Sequence, residues 1–239
     1  MIIVHLSGTL CENLNLICSA YVVSKKYCNE MKISSPSKLT GLLSVFNKQK
    51  YTEINAKSGN FTIINDINQI EDNGDYILTN TDTNTNASSI NIKSFNDFNI
   101  QKKFKLKLSE QNNGYFYIYI DIFKPEYNTH LKKVIEHIED VYFSQDEQLG
   151  TRIKYIVLGK SQEIAKYPLF STCSNKYKQF KIMLYDDDEN LEIMINSSVG
   201  GISFNGKHSL GWWGLFLNPT RPMMILSDGI DLFDGSISL

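Results

Sequence analysis

A near match to a phosphate-binding loop is the first feature of this chain that suggests chemistry. The stretch Gly201–Lys207 fits the pattern G-x-x-x-x-G-K-[ST] except for its last position, where His208 replaces the hydroxyl that holds magnesium. The motif also needs a strand before it and a helix after it, whereas Asn205-Gly206 is typical of a type I′ hairpin turn. We therefore interpret the stretch as a turn and expect no cofactor.

Two acidic clusters raise the question of a metal site. Asp186–Glu189 is a run of four acids, and a second segment carries Asp228, Asp231 and Asp234. Calcium loops spread their oxygen ligands over a longer, glycine-hinged loop, and aspartates suit ordinary turns. We therefore expect solvated turns and no bound metal at both places.

Nucleophilic catalysis has little support in the sequence. No G-x-S-x-G segment is present, and although Cys18 or Cys173 could in principle form a thiol pair with His208, nothing in the local sequence supports it. These observations favour a protein that is not an enzyme. One alternative stays open, a hydrolase-like enzyme whose site is assembled from distant residues around His208 and Asp228/Asp231/Asp234.

A β-hairpin around Asn112-Asn113-Gly114 is the clearest structural prediction. Apolar and polar residues alternate on both sides of these three residues, as in a sheet with one buried face. Gly114 suits the left-handed position that a three-residue hairpin loop requires. In this register Leu108 faces Ile118, Leu106 faces Ile120 on the apolar side, and Lys105 faces Asp121 on the other side.

The polar side of this hairpin is the predicted partner-binding surface. Rigid aromatic side chains beside cations are typical of protein interfaces. The residues of this surface are Tyr115, Tyr117, Tyr119, Lys105 and Lys107. The alternative, that a helix or a second sheet layer covers this face, stays open.

Trp212-Trp213, flanked by Gly211 and Gly214, is predicted to lie in a strand with the two rings on opposite sides. Trp213 is therefore a further candidate for partner contact, and a stacked sugar or base is an alternative ligand. Packing in the core is the other interpretation, since tryptophan is mostly buried.

The remaining elements are predicted from apolar periodicity. Strands are expected at Ile2–Leu6 and Leu16–Val23, a helix after Ser35-Pro36, a hairpin at 51–65, and a polar loop at 79–86. A second helix carries the apolar stripe Leu131, Val134, Ile135, Ile138 and Tyr142. From Arg152 onward we expect strands, with hairpins around Asp187-Asp188 and Asp234-Gly235.

These elements predict an α+β fold, a mainly antiparallel β-sheet or sandwich with about two packed helices. We expect one domain over residues 1–239, with any subdivision near 79–86 or 150.

Composition limits the classes of function. The net charge is −2, which gives no basis for binding nucleic acid, and no apolar run approaches the roughly 20 residues that span a bilayer. The four cysteines lack zinc-type spacing, which suits free thiols in the cytoplasm. Lysine far outnumbers arginine and asparagine is abundant, a pattern typical of an AT-rich genome.

The sequence therefore predicts a non-enzymatic protein-binding module. An inhibitor, an immunity-type partner or a viral or phage accessory protein would fit, and its partner would be another protein. A carbohydrate-binding or structural β-protein is the further alternative.

Overall fold

The structure is a computed structural model that describes residues 1–34, 61–72, 74–79, 114–145, 153–172, 180–204, 209–218, 224–226 and 236–238. The chain divides into two compact units, Met1–Lys107 and Leu108–Leu239. The prediction of one domain, with candidate boundaries near 79–86 and 150, stays a prediction. The predicted helix after Ser35-Pro36 and the first strand of the hairpin at 51–65 lie outside the described residues.

The first unit is a parallel sheet. Its strands are β1 (Ile2–His5), β2 (Met31–Ser34), β3 (Thr62–Ile64) and β4 (Tyr76–Thr79), in the order β2-β1-β4-β3. Every pair of neighbours runs parallel. The predicted strand at Ile2–Leu6 is confirmed, and Ile64 lies in a strand that pairs with β4.

A helix, α1 (Leu10–Lys26), connects β1 to β2. Its start is fixed by a capping box, because the Thr9 side chain accepts from the Glu12 N–H while the Glu12 carboxylate accepts from the Thr9 N–H. The predicted strand at Leu16–Val23 is therefore wrong. A continuous apolar run fits a buried helix as well as a buried strand, and the capping box upstream decides between them.

The second unit is a six-stranded parallel sheet in the order β10-β9-β8-β5-β6-β7. Its strands are β5 (Tyr115–Ile120), β6 (Lys154–Gly159), β7 (Phe180–Met183), β8 (Gly200–Ser203), β9 (Met224–Leu226) and β10 (Ser236–Ser238). The helices are α2 (Pro125–Gln145), α3 (Ser161–Ile164), α4 (Pro168–Thr172), α5 (Asp187–Ile195) and α6 (Leu210–Leu217).

Helices cover both faces of this sheet. Phe116, Ile118 and Ile120 of β5 pack with the buried side of α2 and with residues of α3 and α4. On the opposite face, the Tyr117 hydroxyl donates to the Gly211 carbonyl of α6, and α5 packs against α6. The predicted stripe of α2 is confirmed at Leu131, Val134, Ile135 and Ile138, which are all buried.

The predicted antiparallel α+β fold is wrong, because both sheets are parallel and their connections include helices, as in α/β proteins. The hairpin around Asn112-Asn113-Gly114 shows why. Both edges of β5 are occupied, since Ile118 pairs with Val157 on one side and with Ile202 on the other. Leu108 therefore does not face Ile118. Residues 101–113 lie outside the described part of the chain.

Two other β predictions in the second unit are also wrong. The hairpin around Asp187-Asp188 is the start of α5, where Asp186 is the N-cap and its carboxylate accepts from the Glu189 N–H. Acidic residues stabilise a helix N-terminus, which explains the run of four acids. The Trp212-Trp213 pair lies in α6 and not in a strand.

Candidate functional site

The strand order of the second unit reverses at one point. From β5 the chain builds outward through β6 and β7, then returns to the other side of β5 and builds outward through β8, β9 and β10. The connections that leave the carboxyl ends of β5 and β8 therefore go to opposite sides. In open α/β sheets this divergence leaves a crevice at the carboxyl edge, and ligands bind there. The residues at the ends of β5 and β8 are therefore the candidate site.

Two glycines allow close packing around β8, Gly211 between α6 and the sheet and Gly201 between β8 and the Tyr117 ring of β5. A Cβ on Gly211 would lie 2.5 Å from the Ser203 Oγ and 2.7 Å from a ring atom of Tyr119. A Cβ on Gly201 would lie 2.4 Å from the Tyr117 ring. Only hydrogen fits at either position, and at Gly211 this lets the first turn of α6 rest directly on Ser203 and Tyr119 at the ends of β8 and β5.

The N-terminus of α6 lies at this edge. Ser209 is the N-cap, and its hydroxyl accepts from the Trp212 N–H at 3.2 Å and lies 3.5 Å from the Ser203 hydroxyl. The first turn of α6 holds no acidic residue, whereas that of α5 holds three. The positive end of the α6 dipole is therefore not compensated by acids of its own first turn, and such a helix end attracts anions.

A charged pair lies at the ends of the neighbouring strands. The Lys160 ammonium, just after β6, is 2.6 Å from the Asp121 carboxylate, just after β5. The hydrogen bond to Asp121 and its negative charge raise the pKa of Lys160 above its usual value. Gly159 makes this turn, with φ of 125°, and the Lys160 N–H donates to the Ile120 carbonyl. A Cβ on Gly159 would overlap that carbonyl, so no other residue fits there.

A second carboxylate, Asp187 at the start of α5, is electrostatically coupled to this pair. Loss of hydration raises the pKa of Asp187, and the negative charge of Asp121 adds to the increase, while Lys160 opposes it. The carboxyl edge thus combines a cation, two carboxylates, serine hydroxyls and a helix N-terminus. Sequence reasoning missed Asp121 and Lys160. Their signal was that each comes just after a buried strand, which is informative only once the sheet is known to be parallel.

Most of the predicted partner-binding residues that the structure describes are buried. Tyr117 and Tyr119 are buried beneath α6, Trp213 is buried in α6, and Tyr115 is partly buried at the start of β5. Lys105 and Lys107 lie outside the described residues. Tyr117 and Tyr119 therefore lie under a helical layer, in agreement with the alternative interpretation.

The residues of the enzyme alternative, His208 and Asp228/Asp231/Asp234, lie outside the described part of the chain, as does Cys173. The Cys18 thiol is fully buried in α1, and burial raises its pKa well above the usual value. Within the described ranges, no group of three or more His, Cys, Asp or Glu side chains is placed to hold a metal ion.

The phosphate-loop stretch needs a correction. The predicted turn at Asn205-Gly206 lies outside the described residues, but strand β8 precedes it and helix α6 follows it. A hairpin would require a second strand there, so the hairpin interpretation is wrong. The strand-then-helix context that the phosphate motif requires is present, although Gly201 lies inside β8 and His208 still replaces the hydroxyl.

Among the residues that the structure describes, no helix has both the length and the apolar character needed to cross a bilayer. Comparison of the sequence with known protein families and with characterised proteins found no match.

Proposed function

We propose that the second unit binds a small phosphate-bearing ligand of the nucleotide class at the carboxyl edge between β5 and β8. The observation that carries the proposal is the start of α6, a helix N-terminus without acids in its first turn, at the point where the strand order reverses. Parallel sheets of this strand order bind nucleotides at that point. Because a shared fold does not by itself define a function, the proposal is tested by changing residues of the site.

The local sequence favours a mononucleotide or a simpler phosphate over a dinucleotide. Dinucleotide-binding sheets have a glycine-rich turn after their first strand. Here the turn after β5 is Asp121–Lys124, which contains no glycine. The glycines that allow close packing are instead Gly201, inside β8, and Gly211, at the start of α6. The phosphate is therefore assigned to the α6 end of the crevice.

The charged residues on the other side of the crevice suit the rest of such a ligand. Asp121 and Asp187 offer carboxylate oxygens, which accept hydrogen bonds from the hydroxyl groups of a sugar. Lys160 is held beside Asp121 by the turn at Gly159, so its charge is fixed in place. The site can thus distinguish a sugar phosphate from inorganic phosphate.

The test is calorimetry with ADP, GDP, UDP and pyrophosphate, and with the nucleosides as phosphate-free controls. The informative variant is Ser209→Asp, because aspartate is as good an N-cap as serine but places a negative charge at the phosphate position. We expect at least about tenfold weaker binding, which is about 1.4 kcal/mol.

The matched control is Thr9→Asp, the same kind of change at the N-cap of α1 in the first unit. It should leave nucleotide binding unchanged. Failure of all four phosphate compounds to bind below about 1 mM, or equal affinity of the Ser209→Asp variant and the parent protein, would reject the proposal.

Three expectations from the sequence stay predictions. A protein partner stays a prediction, although α6 covers the predicted contact residues Tyr117 and Tyr119. We also expect no role in nucleic-acid binding, since the net charge is −2. A cytoplasmic location fits the free thiols of Cys18 and Cys28.

A further inference from the structure

A groove in the second unit lies between α5 and the sheet, and none of its lining residues belongs to the candidate phosphate site. It has a volume of about 340 Å³, within the range of pockets that hold small ligands. Its apolar surface comes from Ile156 of β6, Met183 of β7 and Ile193 of α5. Ile156 is buried, whereas the other two are only partly covered. The groove therefore offers an apolar floor to a ligand that enters from solvent.

One wall of the groove is acidic. Glu189 and Glu192 line it from α5, and because they are three residues apart they lie on the same side of the helix. Both side chains are exposed, and no lysine or arginine lines the groove within the described ranges. The wall therefore complements a positively charged group.

Aromatic rings add to this preference. Tyr115 and Tyr185 line the groove, and Tyr185 is 43 % exposed. The Lys154 ammonium already lies 5.5 Å from the centre of the Tyr115 ring, at a distance typical of cation–π contacts. A ring that faces the groove can thus contact either the apolar body of a ligand or its cation.

We propose that this groove binds a small amphipathic cation, an aryl- or alkylammonium. Its apolar body packs on Ile156, Met183 and Ile193, and its charged group lies between Glu189 and Glu192. Met183 suits this role because its thioether side chain adapts to ligands of different shape. Its lining residues differ from those of the proposed phosphate site.

The experiment uses the full chain and three probes of equal length, 4-phenylbutylamine, 4-phenylbutan-1-ol and 4-phenylbutyrate. Their dissociation constants are measured by titration, followed in ¹H–¹⁵N spectra. We expect the amine to bind at least about fivefold more tightly than the alcohol, because one partly exposed ion pair adds that much affinity. The acid should bind most weakly, because its charge is repelled by the two glutamates.

The double variant Glu189→Gln/Glu192→Gln should reduce amine binding to the level of the alcohol and leave alcohol binding unchanged. The control is Glu126→Gln/Glu136→Gln on α2, which removes the same charge on the opposite side of the sheet. That variant should bind all three probes as the parent protein does.

Several results would overturn the proposal. These are equal affinity for amine and alcohol, equal losses in the two double variants, and no binding of any probe. Spectral changes confined to residues outside the groove would also overturn it. Failure here would leave the phosphate site untouched, because the nucleotide titrations use different probes and a different variant.

Discussion

The substitution Gly201→Ala tests the packing of β8 against β5. The added Cβ would lie 2.4 to 2.5 Å from three carbons of the Tyr117 ring, whereas carbon atoms in contact prefer about 3.5–4.0 Å. The ring must therefore move by more than about 1 Å. It has no room to do so, because Tyr117 is fully buried and its hydroxyl is bonded to the Gly211 carbonyl.

We expect a loss of about 3 kcal/mol in the free energy of unfolding. Overpacking a core with one extra methyl group typically costs about 1–3 kcal/mol. We expect a value at the upper end of this range because the Tyr117 ring has no space into which it can move. Displacing the ring also weakens the bond to Gly211, which adds about 1 kcal/mol at most.

The assay is urea unfolding followed by tryptophan fluorescence. The chain has two tryptophans, Trp212 and Trp213, and both are buried in α6, so their emission reports on the second unit. The same substitution in a Tyr117→Leu background provides the control, since a smaller side chain leaves room for the methyl group. The cost of Gly201→Ala should then fall below about 1 kcal/mol, which gives a coupling energy typical of residues in contact.

Two results would refute this reasoning. One is a cost below about 0.5 kcal/mol, the range of surface changes. The other is a cost that is the same in both backgrounds. Either would mean that Gly201 and Tyr117 are not neighbours, and the parallel pairing of β5 with β8 would be wrong.

Three further predictions concern other parts of the second unit. Gly159→Ala should cost more than about 3 kcal/mol in urea unfolding, because φ is positive and the Cβ would overlap the Ile120 carbonyl. Asn218→Ala should cost about 2–3 kcal/mol, because the buried amide donates to the carbonyls of Met194 and Ser197, and Asn218→Asp should cost at least as much. Asp187→Asn should stabilise the fold at pH 7, because lost hydration and the nearby carboxylates raise the pKa of Asp187 in spite of its place at a helix N-terminus, so that folding disfavours its ionised form. This gain should vanish at about pH 3, below the unfolded-state pKa, where the carboxyl is protonated in both states.

The sequence predicted correctly those elements whose periodicity has a single interpretation. The stripe Leu131, Val134, Ile135 and Ile138 fits a helix and no strand, and it is the buried side of α2. The short apolar segment at Ile2–Leu6 was also interpreted correctly, as β1. In both cases local pattern and tertiary environment agree.

The direction of the strands could not be derived in the same way. Alternation in β5 predicts a strand correctly, but period two is the same in parallel and antiparallel sheets. Asn112-Asn113-Gly114 then suggested a hairpin loop, because the turn signal is local and does not reveal which strands become neighbours. The burial of Phe116–Ile120 on both faces is the feature that marks a central parallel strand.

The errors at α5 and α6 have different causes. In α5, Leu191, Ile193 and Ile195 suggested alternation, while Leu191, Met194 and Ile195 follow helical spacing and are the buried set. In α6, two glycines lower the helix propensity, and their purpose is contact with neighbouring side chains. That purpose is visible only in the folded structure.

The candidate site was predicted least well, because its residues come from segments distant in sequence. Asp121, Lys160 and Ser209 belong to no known sequence motif. They lie at one edge only because the strands that precede them are parallel. The incomplete phosphate motif begins inside β8, whose carboxyl end lies at this edge, although the sequence pattern indicated a hairpin turn.

The most direct test of the account is a ¹H–¹⁵N titration of the full chain with the nucleoside diphosphate that binds most tightly in the calorimetric series. We predict that the largest shifts occur at the amides of Ser203, Gly211, Asp121 and Lys160, at the carboxyl edge of the sheet. Shifts concentrated at the opposite edge, near Tyr115 and Lys154, or no shifts at saturating ligand, would contradict it.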